Sequence, residues 1–207
     1  MKGLLIKDLL NLKKQGKTVL AILAFYIVFA LTTKNASFLT AMFTLLLSMM
    51  SISSFSYDEM AKWNKFAASL PLTRRDIVGS KYLLAFLLSF AGLATSMLLS
   101  MGSSFVVEGT SLTELLLTSY CSFLIAMLMQ IVMLPLLFQY GAEKSRTMLM
   151  GVVAVPMVLV FILSKLGMQM PGEDVFFLLL KLAVPILIVL FAISYRISCA
   201  IYQRKEL

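Results

Sequence analysis

The chain has 207 residues, of which 60% are hydrophobic and 14% charged, and a net charge of +8; its mean hydropathy is +0.95. Soluble globular domains carry about 25% charged residues, so this composition excludes that class and describes an integral membrane protein. The chain contains no histidine, which excludes a Ser-His nucleophile pair, a His-ligated zinc and a His-held haem.

Taken in chain order, residues 1–17 read as an amphipathic, Lys-rich helix. At 100° per residue Leu5, Ile6, Leu9, Leu10 and Leu12 share one arc, with Lys7, Asp8, Asn11, Lys14 and Gln15 opposite and Leu4 and Lys13 as exceptions. Such a helix is expected to lie in the membrane interface with its apolar face in the acyl boundary, turning at Gly16 into the first span. Gly16-Lys17-Thr18 resembles the end of a phosphate-binding loop, but that pattern requires glycine where Asn11 stands and a preceding strand; no nucleotide site is expected. A spanning helix needs about 20 mostly apolar residues, and six runs approach or pass that length: Thr18–Thr33, Phe38–Tyr57, Tyr82–Val107, Leu115–Ala142, Thr147–Leu166 and Val175–Tyr195. The first is read as a retained anchor, because no small-x-small cleavage site closes it.

Between the second and third runs stands "DEMAKWNKFAASLPLTRRDIVGSK". Asp58 and Glu59 suit the N-terminal end of a new helix, in which Met60, Trp63, Ala67 and Leu70 lie along one face with Phe66 beside it. Pro71 ends that helix. Thr73 with Asp76 three residues later forms a capping box that starts the next. The expectation is a helix, a break and a helix over 58–81, presenting an apolar and aromatic knob ringed by Lys62, Lys65, Arg74 and Arg75. Trp63 and Phe66 suit either of two roles, as interfacial anchors or as buried anchors in a partner's socket. In the third run, Gly92, Ser96, Ser100 and Ser104 form a stripe of small side chains that lets helices pack closely. Prolines 135, 156 and 185 fall inside the last three runs and are expected to mark bends.

Of the 18 basic residues, all but Lys34, Lys165 and Lys181 fall in the segments that share a side with the N-terminus. The positive-inside rule therefore places both termini in the cytoplasm. Lys181, inside the last run, is expected to snorkel or to face protein. The positive charge is a topology signal and an attraction to anionic lipid, with no call for nucleic acid. Cys121 and Cys199 fall near opposite faces and are expected to remain unpaired thiols. The ten acidic residues all lie at run ends or in connections, so an ion relay through the membrane has no carboxylate to use. The organisation is a single transmembrane domain over 1–207, without a repeat, a low-complexity tract or a soluble domain.

The succession of a Lys-rich amphipathic helix, two spans and "DEMAKWNKFAASLPLTRRDIVGSKYL" resembles the ABC-2 type permease family of bacterial ABC transporters. More narrowly, it resembles the small six-span subunits of Gram-positive exporters, including those that export phenol-soluble modulins and other amphipathic peptides. The residues that carry the resemblance are Asp58 and Glu59, Trp63, Ser69 to Pro71, Arg74 and Arg75, Asp76 to Val78, and Ser80 to Tyr82. It implies an all-α, six-span permease in the bacterial cytoplasmic membrane, with an interfacial N-terminal helix and 58–81 as a cytoplasmic coupling helix. It implies that Met60, Trp63, Phe66, Ala67, Leu70, Arg74 and Arg75 dock a separate ATPase subunit. It also implies a second permease copy or homologue, and ATP and Mg bound by the ATPase, with no cofactor and no enzymatic activity in this chain. The link Lys165 to Asp174 is too short for the pair of re-entrant helices that related permeases carry. The Ser, Thr and Met content of the spans, with Gln130 and Gln139, suits a hydrophobic or amphipathic substrate such as a peptide. A membrane scaffold or sensor that docks a partner without transport is the alternative.

Overall fold

In the computed structural model, residues 2–33, 36–67, 69, 71, 73–103, 111–165 and 173–204 are described. Among them every regular element is a helix: α1 Lys2–Lys13, α2 Gly16–Thr33, α3 Ala36–Met60, α4 Trp63–Ala67, α5 Arg74–Ser103, α6 Leu112–Lys165 and α7 Glu173–Arg204. Among the described residues four helices are long and apolar enough to cross a membrane by length and composition, and Gly16–Ala30 is a shorter apolar helix. All-helical structure follows from the solvent: a backbone surrounded by hydrocarbon must satisfy its N–H and C=O groups within each segment.

The chain turns between α1 and α2 at Lys14 and Gln15, where the Gln15 N–H donates to the Leu12 carbonyl at 2.9 Å; Gly16 already belongs to α2. The fourth and fifth expected spans are two helical arms that meet end to end at Gly141 (φ 82°, ψ 177°) and together are labelled α6. The backbone departure thus falls at Gly141, not at Pro135, whose neighbours keep helical dihedrals.

At the centre, α3 packs along both α5 and α6, while α7 lies against α6 and α5, and α2 leans on α3. Within Leu112–Ser145 the 18-residue apolar window is 56% buried, and that within Phe177–Arg204 only 11%, so the first arm of α6 is the axis of the bundle and α7 its rim. Small polar side chains let the central helices approach. A Cβ added to Gly92 would sit 3.1 Å from the Thr44 carbonyl oxygen. Ser96 and Ser100 are buried, the Ser100 hydroxyl meeting that of Ser119 on α6 at 3.2 Å; Ser104 lies outside the described residues. Facing them on α3 is a second stripe, Thr40, Thr44, Ser48, Ser51 and Ser54, all buried. The Gln130 amide of α6 then joins three helices, donating to Ser89 Oγ at 2.6 Å and to the Ser48 carbonyl at 3.3 Å.

Candidate functional site

α1, the end of α3, α4, the start of α5, the Gly141 bend and the end of α7 meet at one end of the bundle. Asp58 and Glu59 are the last turn of α3, which runs on to Met60, and do not start a new helix as expected. The Lys62 N–H donates to the Glu59 carbonyl at 3.0 Å, with Lys62 at φ 50°, and this tight turn delivers the chain to α4. Beyond Pro71 the expected capping box forms: Thr73 Oγ1 meets Asp76 Oδ2 at 2.6 Å and accepts from the Asp76 N–H at 3.2 Å. Helix α5 starts at Arg74 as a result.

The residues named for docking divide by direction. Met60 is 81% exposed and Phe66 58%. Ala67, by contrast, is 2% exposed and belongs to the core cluster at this end, so its expected place on the outward face is corrected. Trp63 is half-buried against the same cluster, its ring 5.4 Å from that of Phe66. The Arg74 guanidinium donates to the carbonyls of Tyr202 at 3.1 Å and Gln203 at 2.5 Å, closing the last turn of α7, where a cation also suits the helix dipole. Arg75 is exposed. Leu70 lies outside the described residues.

Beneath the knob lies a group of four charges. Lys81, expected among the solvent-side cations, is buried and pairs with Asp8 at 3.0 Å and Asp58 at 2.5 Å, while Lys7 pairs with the same two carboxylates at 3.0 and 2.7 Å. Lys81 also donates to Ser54 Oγ at 2.7 Å. Asp8, expected on the outer polar face of α1, is 1% exposed between Leu4 and Leu12, while Ile6, Leu9 and Leu10 face outward. The inner face of α1 is therefore the i, i+4, i+8 row Leu4, Asp8, Leu12, and the charge in its middle requires partners. Lys7 and Asp8 come from α1, Asp58 from α3 and Lys81 from α5, so three helices are tied by two cations and two anions. The Lys7 ammonium lies 4.1 Å from the centre of the Trp63 ring, a cation–π contact that joins the cluster to α4. A cavity of about 30 Å³, room for a water, opens between Asp58, Glu59, Trp63, Lys81 and Tyr202.

Sequence reasoning missed this cluster because Asp8, Asp58 and Lys81 lie at or beyond the ends of the apolar runs, where a charge is ordinarily solvated; in the fold Asp8 stands mid-way along α1 and Lys81 two turns inside α5. The available signal was the Leu4, Asp8, Leu12 spacing, which places an acid inside an apolar row. Among the described residues no three His, Cys, Asp or Glu side chains are placed to hold a metal ion. Cys121 and Cys199 are free thiols.

A helical bundle with, among the described residues, four long apolar helices, a buried charge cluster at one end and a rim of exposed apolar side chains along α7 broken by the exposed Lys181 defines a multi-pass membrane protein. The family model described as ABC-2 family transporter protein matches residues 3–203. The chain belongs to the ABC-2 transporter family, and is a transmembrane permease component of an ABC transporter. No curated protein and no solved structure matches it.

Proposed function

We propose that this chain is the membrane subunit of an ATP-driven exporter, docking a separate ATPase through the face of residues 58–81 that carries Met60, Phe66 and Arg75. It lies in the bacterial cytoplasmic membrane with both termini cytoplasmic, crosses six times and works as a dimer of permeases. Its cargo is a hydrophobic or amphipathic molecule such as a peptide. ATP and Mg are bound by the partner, which supplies the energy.

The observation that carries this reading is the contrast within five residues of chain: Phe66 stands outward on a helix whose Ala67 and Trp63 are seated on the core and the charge cluster. An exposed aromatic on a rigid seat is the form of a binding hot spot; a flexible loop would lose affinity to ordering. Six crossings agree with the length of α6. Its 54 residues would extend about 80 Å if straight, well beyond the roughly 30 Å of hydrocarbon, and the break at Gly141 divides them into two arms, one for each of two crossings.

The test is to purify the tagged chain gently from its native membrane and identify its companions by mass spectrometry. A stoichiometric ATPase is expected. The double variant Met60→Ala, Phe66→Ala should lose it, since a buried anchor contributes at least about 2 kcal/mol of binding, while insertion and folding stay intact. Trp63→Ala is a poorer probe, because it also unseats α4. Recovery of a non-ATPase companion would replace the transport reading with a scaffold or sensor.

A further inference from the structure

The Gly141 bend is held by a residue from another helix. Gly141 has φ 82° and ψ 177°, a backbone region essentially restricted to glycine. A Cβ at 141 would in addition collide with Glu59 Oε1. The same oxygen accepts the Ala142 N–H at 2.7 Å. The first four N–H groups of a helix lack partners within it, and the second arm of α6, residues 142–165, begins at Ala142. One side of its first turn faces inward, with Ala142 and Ser145 buried and Glu143 and Lys144 exposed, and on the buried side an unpaired N–H is costly. Glu59 supplies both an acceptor and a negative charge at the positive end of that arm.

We infer that Glu59 is a positioning residue that caps the second arm of α6 from the end of α3, so that movement of α4 is passed to the Gly141 hinge; this rests on the docking reading above. Glu59 leads directly into α4 through the Lys62 turn, so a shift of α4 moves the Glu59 carboxylate. That carboxylate is the partner of the first N–H beyond the hinge. Displacing it frees the arm to pivot at the one residue whose backbone is already out of the helical region. The sequence separates the two ends of this linkage by more than 80 positions, and only the fold brings them together.

Hydrogen exchange of the amides at 142–145 reads the cap directly, on the full chain in lipid nanodiscs with its co-purified ATPase. Glu59→Ala is expected to speed exchange there by roughly fivefold, the ratio that loss of one capping bond corresponds to. Glu59→Gln, which keeps the oxygen and drops the charge, should fall in between. Adding ATP should change exchange at 142–145 in the unmodified protein, and that response should vanish in Glu59→Ala at equal amounts of bound ATPase. Unaltered exchange in Glu59→Ala overturns the cap, and an ATP response that survives the substitution overturns the linkage. If the unmodified chain brings down no ATPase, the docking reading fails and the linkage with it, while the first arm of the experiment still decides whether Glu59 caps the hinge.

Discussion

The two faces of this bundle place charge and grease in opposite ways. At the end where α1, α3 and α5 meet, four charged side chains are enclosed in protein; along α7, Phe177, Leu178, Leu182, Ile186, Ile188 and Val189 all stand exposed. In water the arrangement would be inverted. Next to hydrocarbon an exposed Leu loses nothing, and helix association must come from packing and polar contacts. What differs between the two regions is therefore not hydrophobicity but specificity: the charge cluster admits one arrangement of three helices, whereas the rim of α7 is satisfied by any apolar neighbour.

Breaking the charged end should have the largest effect. Asp58→Ala leaves Lys81 short of a close carboxylate and Lys7 of its shortest one, and loss of one partner from a buried pair typically costs about 3–5 kcal/mol. Denaturant unfolding in detergent micelles should show a loss of that order, with much of it recovered in Asp58→Leu, Lys81→Met. A loss under about 1 kcal/mol would mean that water reaches the cluster. An intermediate effect is expected at Tyr82, whose hydroxyl lies 2.7 Å from both Ser194 Oγ and Ser198 Oγ and joins α5 to α7. Tyr82→Phe should cost about 1 kcal/mol, and a neutral result in the same unfolding assay would show that the two serines pair elsewhere. The smallest effect belongs to the rim. Ile188→Ala should stay within about 0.5 kcal/mol in the isolated chain; a larger loss would show that this face is packed against protein and not lipid.

The membrane character, the apolar runs and the Thr73–Asp76 cap were legible because each is local: hydrophobic length, and a three-residue spacing with a defined hydrogen-bond pattern. The stripe of Gly92, Ser96 and Ser100 was legible in part. The matching row on α3, Thr40 to Ser54, changes from four-residue to three-residue spacing at Ser48 and is diluted by leucines and methionines. The docking residues were read as one face, yet Ala67 turned inward while Met60 and Phe66 remained out. A helix as short as Trp63–Ala67 has too few turns for periodicity to say which side meets the core.

By itself, the sequence determined that the chain resides in a membrane, which of its stretches are apolar enough to form its long helices, and that its cations gather in particular connections. Those properties depend on composition and on hydrogen bonds between near neighbours. Tertiary structure alone decided that Asp8 and Lys81 face each other, that Arg74 closes the end of α7, and that Glu59 meets Ala142. Each of these joins residues more than 70 positions apart. A charged side chain outside the apolar runs has water as its default partner, and only the approach of another helix removes the water and replaces it with a particular opposite charge or backbone group.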